Sequence, residues 1–555
     1  MGVPQFFSWL SRKYKGIVSS GYNGDCDALL MDFNCLIYQV WRDLSYSEYE
    51  TLKDKPKSFI ENRIIEEVIK YLKRIIFDIV KPQQYVYVAF DGTVPRAKMN
   101  QQRFRRFKKD VLDEIDKNIA EKYGIFKEKI WDTNCITPGT EFMWKLSQGI
   151  QNAMKTSFGF QNSNLQFFLS DTSVPGEGEH KVMNNLRSQN IKGKYCVYGL
   201  DADLIYLSLL SGYNITLLRE NTNDRVDAEF LWVYIRELGD AIVKEFQKLL
   251  PLHKLINQGI INDYCFLGFL VGNDFCHCTP SLKIGENGID LLINTYCKFF
   301  IGKYILDKNY NINQKFLELI LSFISRNEHQ NLVYLQKRSN RRLTPPSHLD
   351  NYQLDKFCSD RIPLNDDFKK YWNVIDYNGD KDYRKKYSKL LLDDGDINDI
   401  CQKYIEGLIF TRNYYFKRLI SWEWYNPYLN APFMRDVWRY INEKKIYFDS
   451  VNIPIDYPYT AYEQLLMVLP PQNNDLLPKV LGKGMVDFKS PIIEYYPRQF
   501  KLDLYEKFML YSAEPILPLI DSDKIRKFFL DNIAKLSNKE EELNKKGITI
   551  LYKRN

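Results

Sequence analysis

Short apolar segments that end in acidic residues are the feature that most restricts the fold of this chain. In the N-terminal half, segments rich in Val, Tyr, Leu and Phe alternate with longer amphipathic stretches, which is the pattern of parallel strands connected by helices. Four such strands are predicted at residues 28–31, 85–90, 165–169 and 195–198. We therefore predict an α/β fold with a mostly parallel central sheet flanked by helices. Ligands of such sheets bind beyond the carboxyl ends of the strands, so acids placed there are predicted to share one site.

Seven carboxylates are the candidates for this site: Asp32, Asp91, Glu177, Glu179, Asp201, Asp203 and Asp274. Two pairs are spaced i, i+2, so each pair projects to one side of an extended segment. Unit charges 4 Å apart repel by about 4 kcal/mol at an effective dielectric constant of 20, so a cluster must take up protons or hold cations. All-oxygen ligands suit Mg²⁺ or Mn²⁺, and two such ions can support phosphodiester hydrolysis. Taken singly, each acid has an alternative as a helix cap or turn former.

A basic segment follows Asp91 closely. It contains Arg96, Lys98, Arg103, Arg105, Arg106, Lys108 and Lys109. On a helix, Lys98, Gln102, Arg105 and Arg106 share one face, which is suited to charge-assisted hydrogen bonds with a terminal phosphate. The alternative is a solvated basic surface.

Aromatic residues are dense between positions 414 and 428. Base stacking on an aromatic ring is worth about 1 to 3 kcal/mol per base and tolerates any sequence. Most of these rings are expected in the core, and one or two of Tyr38, Trp422 and Trp424 are candidates for stacking on a base.

The composition limits the remaining classes of protein. The net charge is only +7, so nucleic-acid affinity must come from local clusters. Ten scattered cysteines and the lack of a leader-like start predict a reducing, intracellular location, and the longest apolar run, at 264–272, is too short to span a bilayer. Cys276, His277 and Cys278 are too close together for a structural zinc site. Residues 330–400 are polar and predicted to be a linker or insert between regions 1–329 and 401–555.

Several motifs resemble the Xrn-type 5′-to-3′ exoribonucleases. In the first half they are MGVPQFF (1–7), LLMDFN (29–34), AFDGTVPRAKMNQQRFRRF (89–107), TPGTEFM (137–143), VPGEGEHK (174–181), YGLDADLI (198–205) and LVGNDF (270–275). In the second half they are SWEWYNPY (421–428), YEQLLMVLP (462–470) and SPIIEYYP (490–497). The resemblance implies a nuclease core of the 5′-nuclease or PIN-like type, with a second, mainly helical region packed against it and completing the active-site funnel.

The resemblance also implies a function. It is processive degradation of single-stranded RNA with a 5′-monophosphate, such as decapped mRNA, to mononucleotides, with Mg²⁺ (two ions, Mn²⁺ as a substitute) bound by the seven acids. The family's 5′-phosphate pocket maps onto Lys98, Gln102, Arg105 and Arg106. Tyr38 stands where the family has a histidine that stacks on the terminal base opposite a tryptophan, here Trp422 or Trp424. NDFCHCTP (273–280) and Leu429 depart from the family pattern. A cytoplasmic monomer, with decapping factors as partners and no membrane association, is expected.

Two alternatives belong to other classes. A structure-specific DNA nuclease of the flap-endonuclease kind shares the acidic α/β centre but not the second set of motifs. A non-catalytic RNA-binding scaffold on the same fold would not need all seven acids.

Overall fold

The computed structural model describes residues 6–21, 24–125, 128–156, 165–189, 193–221, 228–339, 344–392, 395–418 and 420–552. Residues 1–5 of the N-terminal motif lie outside these ranges. Among the described residues, no helix is both long enough and apolar enough to cross a membrane.

One eight-stranded sheet organises the N-terminal part, and its order is β1-β7-β6-β5-β2-β3-β4-β10. The neighbouring strands from β6 to β4 are parallel, whereas β1, β7 and β10 run antiparallel to their neighbours. The strands of this sheet are β1 (Val18–Ser19), β2 (Ala28–Asp32), β3 (Tyr85–Ala89), β4 (Gln166–Ser170), β5 (Lys194–Tyr198), β6 (Asn214–Glu220), β7 (Phe230–Tyr234) and β10 (Ile550–Tyr552). A separate two-stranded sheet pairs β8 (Lys501–Asp503) with β9 (Glu514–Ile516). The predicted mostly parallel sheet is confirmed.

Helices cover both faces of the sheet and form most of the C-terminal half. The first ten are α1 (Phe6–Lys13), α2 (Asn34–Ser47), α3 (Tyr49–Leu52), α4 (Lys57–Arg74), α5 (Arg96–Lys122), α6 (Glu141–Lys155), α7 (Gly178–Gln189), α8 (Asp203–Ser211), α9 (Ile235–Leu249) and α10 (Asn257–Phe269). The others are α11 (Gly288–Phe299), α12 (Gln314–Ser339), α13 (Asn351–Ser359), α14 (Tyr383–Leu391), α15 (Ile397–Arg412), α16 (Met434–Lys444), α17 (Ala461–Val468), α18 (Lys479–Gly482), α19 (Ser522–Asn532) and α20 (Asn538–Leu543).

The central strands β2 and β3 are buried along their whole length. Alternate residues therefore face two different cores. Leu30 and Tyr87 pack into one core with α7, α8 and α10, whereas Leu29 and Val88 pack into the other with α2, α4 and α6. Apolar packing on both sides explains why these segments read as continuous hydrophobic runs.

The second region is anchored to α5 by part of the predicted basic segment. Arg103 donates hydrogen bonds to the carbonyl oxygens of Pro518 and Tyr495, and Lys108 donates to those of Tyr511 and Ala513. Arg96 likewise reaches the Ile520 carbonyl oxygen and the Met467 sulfur. These three cations are buried and serve packing between the two regions, so the basic run is not one surface.

Residues 330–400 differ from the predicted polar linker or insert. Position 330 lies inside the continuous helix α12, and Leu332 and Leu335 on that helix are buried. Further along, Ile375, Tyr377 and Tyr387 belong to an apolar cluster that also contains Phe433 and Tyr505 of the second region. The segment reads as polar because its core residues are widely spaced among Lys, Asp and Asn, yet a few buried aromatic rings are enough to fix it against its neighbours.

Candidate active site

The carboxyl ends of β2, β3 and β5 bring most of the candidate acids to one edge of the sheet. Asp32 is the last residue of β2, Asp91 lies two residues beyond β3, and Asp203 opens α8 just after β5. Glu177 precedes α7 and Glu179 lies in its first turn. Asp274 arrives from the loop after α10. Parallel pairing of β5, β2 and β3 is what places these ends side by side.

Lys98 bridges two of these acids, Glu177 and Asp274, in the described structure. Its ammonium nitrogen lies 2.5 Å from Glu177 Oε2 and 2.7 Å from Asp274 Oδ2. The three side chains are 8%, 4% and 2% exposed, so the ion pairs are almost dry. Lys98 was predicted to belong to a phosphate pocket; here it faces the carboxylates, and a bound phosphate would have to share it with them.

Neighbouring groups fix the orientation of individual carboxylates. The Asn34 side-chain amide donates to Asp91 Oδ2 at 2.9 Å, and the Gly178 backbone N–H donates to Asp91 Oδ1 at 2.8 Å. The Tyr414 hydroxyl donates to Glu177 Oε1 at 2.5 Å, and the Gln101 amide donates to Asp274 Oδ1. Hydrogen bonds to charged acceptors restrict the rotamers of these acids.

Burial and mutual repulsion perturb the titration of the acids. Desolvation and the negative charges of Asp91 and Asp201 raise the pKa of Asp32 well above its usual range. Desolvation together with the charge of Asp274 raises the pKa of Asp203 to about 7. For Asp274, desolvation is the largest influence and acts upward, but the pKa is lowered by opposing charge and hydrogen-bond interactions, of which the Lys98 ammonium is the main source. The charges of Asp91 and Asp201 therefore reach Asp32, and that of Asp274 reaches Asp203.

The residues present fit a divalent cation. The ligand atoms of Glu177, Glu179 and His180 lie within 4.8 Å of one another. Asp203 Oδ1 and His180 Nε2 are buried without a hydrogen-bond partner, which is costly unless another ligand satisfies them. Desolvation lowers the pKa of His180 to about 3, so its ring is neutral and has a lone pair available. The predicted all-oxygen set would still dominate such a site, with His180 at its edge.

The predicted phosphate-binding face of α5 adjoins this cluster. Arg106 is held at 3.3 Å from Gln102 Oε1 and 2.9 Å from Thr137 Oγ1, and both α5 side chains are largely buried. Desolvation raises the pKa of the Tyr38 phenol, whereas the nearby guanidinium groups of Arg106 and Arg105 act in the opposite direction. Tyr38 as a whole is 42% exposed, so part of the residue is open to solvent while its phenol oxygen is desolvated near the two arginines.

The two tryptophans proposed for base stacking differ in their environment. Trp422 is only 7% exposed and packs with Tyr459 and Leu466 in an apolar cluster, so the structure does not support a stacking role for it. Trp424 is half-buried, stacks on Phe410 with ring centroids 4.7 Å apart, and donates its indole N–H to Glu406 at 2.9 Å. One face of Trp424 is therefore already occupied.

Sequence reasoning missed several contributors to the site. Tyr414 and Gln101 donate to carboxylates from outside the strand-end pattern, and His180 stands out in the sequence only as part of the VPGEGEHK motif. Lys181 donates to the Phe90 and Asp171 carbonyl oxygens, which ties α7 to two strand ends. The sequence does contain one signal for Gly178 and His180, because both are adjacent to the predicted metal ligand Glu179.

A buried group of strand-end carboxylates, bridged by one lysine and flanked by an arginine face, defines a nuclease-type site at the carboxyl edge of an α/β sheet. The match to known proteins agrees with this class. Residues 1–221 match the family described as XRN 5′-3′ exonuclease N-terminus, and residues 256–360 and 375–555 match the Xrn1 helical domain. The chain belongs to the XRN 5′-3′ exonuclease family.

Individual relatives align with nearly the whole chain. Human 5′-3′ exoribonuclease 1 is 32% identical over 95% of this chain, which spans 34% of the human protein. The 5′-3′ exoribonuclease 2 of Debaryomyces hansenii is 28% identical over 100% of this chain and 72% of its own length. The 5′-3′ exoribonuclease 1 of Schizosaccharomyces pombe is 28% identical over 95% of this chain and 48% of its own length. The chain thus spans about a third to three quarters of these relatives.

Proposed function

We propose that this chain is a processive 5′-to-3′ exoribonuclease that degrades single-stranded, 5′-monophosphorylated RNA to mononucleotides. The observation that carries the proposal is the buried ion-pair bridge of Lys98 to Glu177 and Asp274, immediately beside the Gln102 and Arg106 face of α5. Membership of the XRN family supports it, since relatives aligned over nearly the full chain carry the name 5′-3′ exoribonuclease.

The cofactor we propose is Mg²⁺, as two ions, with Mn²⁺ able to replace it. The residues that would hold these ions are Asp32, Asp91, Glu177, Glu179, Asp201, Asp203 and Asp274. When bound, divalent ions in such a site activate a water molecule and stabilise the leaving oxygen of a phosphodiester. Asn34 and Tyr414 keep Asp91 and Glu177 oriented, and the dry surroundings strengthen every charge interaction with the substrate.

The arginine face sets which RNA end is accepted. Arg106 is fixed by Gln102 and Thr137, so its remaining N–H groups are oriented before substrate arrives. Together with Arg105 and Lys98 it would bind one terminal phosphate with charge-assisted hydrogen bonds. A cap or triphosphate would need space that these largely buried side chains occupy. Tyr38, exposed beside the arginines, is the side chain we expect to stack on the terminal base.

The substrate assignment is tested with matched RNAs that carry a 5′-monophosphate, a 5′-triphosphate or a 5′-hydroxyl. We expect rapid release of mononucleotides from the first RNA only. Equal rates on all three would contradict the phosphate assignment. A 5′-flap DNA substrate in the same assay separates this function from that of a flap-endonuclease-like enzyme.

The acidic site is tested by combining Asp201→Ala with Asp203→Ala. We expect loss of turnover but retention of RNA binding in calcium. The matched control combines Asp366→Ala with Asp367→Ala, two neighbouring exposed acids that are not among the seven predicted ligands. Cleavage that persists in the first variant would remove the acidic site from the mechanism.

The biological setting is a separate proposal. We propose a cytoplasmic monomer that receives decapped RNA from decapping factors. Cell fractionation, light scattering and affinity purification with decapping factors test these three points one by one.

A further inference from the structure

The loop between β5 and α8 carries one candidate acid, and a second candidate opens the helix. We call residues 199–202 the acid loop; Asp201 lies within it and Asp203 follows it directly. Ala202 is the N-cap residue of α8 and has no side-chain oxygen with which to cap the helix. The conformation of the acid loop is therefore not fixed by its own cap and depends on contacts with neighbouring elements.

The neighbouring strand β6 supplies such contacts. The Gly199 N–H donates to the Leu218 carbonyl oxygen at 3.1 Å, which continues the pairing of β5 with β6 into the acid loop. Arg219, the next residue of β6, contacts the loop with its side chain. Its Nη1 donates to the Asp201 carbonyl oxygen at 3.2 Å, and its Nη2 donates to that of Leu200. One guanidinium thus holds two consecutive carbonyl groups of the loop that carries Asp201.

The guanidinium of Arg219 is itself held in place. Arg219 is 8% exposed, and its guanidinium carbon lies 4.5 Å from the centroid of the Phe7 ring on α1. A cation over an aromatic ring is attracted to it, most strongly where water is excluded. Because the arginine fork is planar and rigid, its donors meet two carbonyl groups only when these have a defined relative orientation. The Phe7 ring and the fork together restrict the acid loop.

The position of the acid loop decides where two carboxylates point. Gly199 is packed so closely that a Cβ there would lie 2.3 Å from Leu204 Cδ1 and 3.3 Å from Asp32 Cβ. Asp203 is 1% exposed, and its Oδ1 is buried without a hydrogen-bond partner. A small shift of the loop would change the distances among Asp32, Asp201 and Asp203. Mg²⁺ demands oxygen ligands in a nearly ideal geometry, so such a shift would weaken its binding.

We propose that Arg219 is a positioning residue for Asp201 and Asp203, which acts through the backbone of the acid loop and is held by Phe7. The inference rests on the proposed function, because it takes both acids as ligands of a divalent ion. The role needs a fork as well as a charge: a lysine would present a single nitrogen to the two carbonyl groups. The alternative is that Arg219 only packs α1 against the sheet. Its loss would then lower stability without changing metal affinity.

The first experiment measures metal binding without RNA. The full chain is titrated with MnCl₂, and free Mn²⁺ is followed by its electron paramagnetic resonance signal. We expect the dissociation constant of Arg219→Lys to lie about ten-fold or more above that of wild type, because groups that orient metal ligands have effects of this size. Wild-type Mn²⁺ affinity in Arg219→Lys would overturn the proposal.

Arg361→Lys is the matched control. The Arg361 guanidinium also lies over a phenylalanine ring, 3.4 Å from the Phe357 centroid, and donates to the Phe357 carbonyl oxygen at 2.9 Å. The same kind of side chain is thus changed outside the acid loop, and we expect wild-type Mn²⁺ affinity. A loss of affinity as large as that of Arg219→Lys would show that general loosening of the fold is responsible, and would overturn the proposal.

Phe7→Leu covers the case in which melting curves show that Arg219→Lys does not fold. This variant keeps both donors of Arg219 and removes the ring that holds them. We expect weaker Mn²⁺ binding than in wild type. Wild-type Mn²⁺ affinity in a folded Phe7→Leu chain would overturn the proposal as stated.

The second experiment separates Arg219 from the phosphate-binding face. Binding of 5′-monophosphorylated RNA is measured in EDTA, and RNA cleavage is measured over a series of MgCl₂ concentrations. We expect Arg219→Lys to bind RNA like wild type, while the Mg²⁺ concentration for half-maximal cleavage rises about ten-fold or more. A loss of RNA affinity with an unchanged Mg²⁺ requirement would overturn the proposal. If wild type binds Mn²⁺ but cleaves no RNA, the proposed function fails, whereas reduced Mn²⁺ affinity of Arg219→Lys still supports the role of Arg219.

Discussion

Replacing Lys98 by Met tests whether one buried ammonium neutralises the acidic site. Lys98 bridges Glu177 and Asp274 at 2.5 Å and 2.7 Å, with all three side chains less than a tenth exposed. Met has a similar length and no charge, so the substitution leaves two carboxylates without their counter-ion. We expect a marked loss of stability when no divalent cation is present.

The size of the effect follows from the burial of the pair. Removing one partner of a buried ion pair costs about 3–5 kcal/mol of unfolding free energy, because an uncompensated charge remains. Lys98 serves two carboxylates, which places the expected loss toward the upper end. A divalent cation at a hundred times its dissociation constant stabilises a folded protein by about 2.7 kcal/mol. Mg²⁺ should therefore recover about half or more of the loss, and it should bind the variant more tightly because no ammonium competes.

The assay is urea unfolding followed by tryptophan fluorescence, in EDTA and in a series of MgCl₂ concentrations. The control is Lys122→Met on the same helix, where the lysine pairs with Asp355 at the surface. Surface pairs contribute little, so the midpoint of this variant should stay close to that of wild type in both conditions. If Lys98→Met unfolds at the wild-type midpoint in EDTA, or gains no more from Mg²⁺ than wild type, the proposed charge balance is wrong.

Three further predictions concern the same site. Tyr414→Phe removes the hydrogen bond that orients Glu177. We expect the Mg²⁺ concentration for half-maximal RNA cleavage to rise by roughly ten-fold or more, because groups that orient metal ligands have effects of this size. An unchanged Mg²⁺ titration would contradict this prediction. Gly178→Ala places a Cβ 2.4 Å from Asp32 Oδ1, so we expect about 1–3 kcal/mol of destabilisation and a large loss of cleavage rate, measured by melting curves and RNA decay. The pKa of Asp203 is raised to about 7, above the value of about 3.9 in an unfolded chain. Protonated Asp203 therefore contributes to metal-free stability below about pH 4, and this contribution is lost as the pH rises to about 7. The urea midpoints in EDTA should fall over this pH range, and Asp203→Asn should make the fall shallower.

Matched controls separate these effects from general damage. Tyr447→Phe alters an exposed tyrosine and should leave the Mg²⁺ titration unchanged. Gly21→Ala introduces a Cβ into open space and should leave both stability and cleavage near wild type. For the pH series, Asp366→Asn changes an exposed acid and should keep the wild-type slope. A wild-type slope in Asp203→Asn would show that another group causes the pH dependence.

The segment 330–400, predicted to be a polar linker or insert, shows that composition alone does not reveal which residues are buried. Ile375, Tyr377 and Tyr387 are isolated apolar residues in a Lys- and Asp-rich stretch, and nothing local distinguishes them from exposed residues. Their burial depends on Phe433 and Tyr505, which lie far away in the sequence. Likewise, Trp422 differs from Trp424 because its ring packs into the apolar cluster around α17. The spacing of the two tryptophans in the sequence does not predict this contact.

The sequence alone determined the parallel sheet and the group of acids at its edge, because strand periodicity and position after a strand are local properties that every α/β sheet converts into the same edge. It also determined that a basic helix follows Asp91. The tertiary structure decided how that helix divides its charges: Arg96, Arg103 and Lys108 hold the second region, Arg106 donates to Thr137, and Lys98 enters the acidic cluster. Helical periodicity fixes which side chains share a face, but only the packing of the rest of the chain around α5 decides what each face meets.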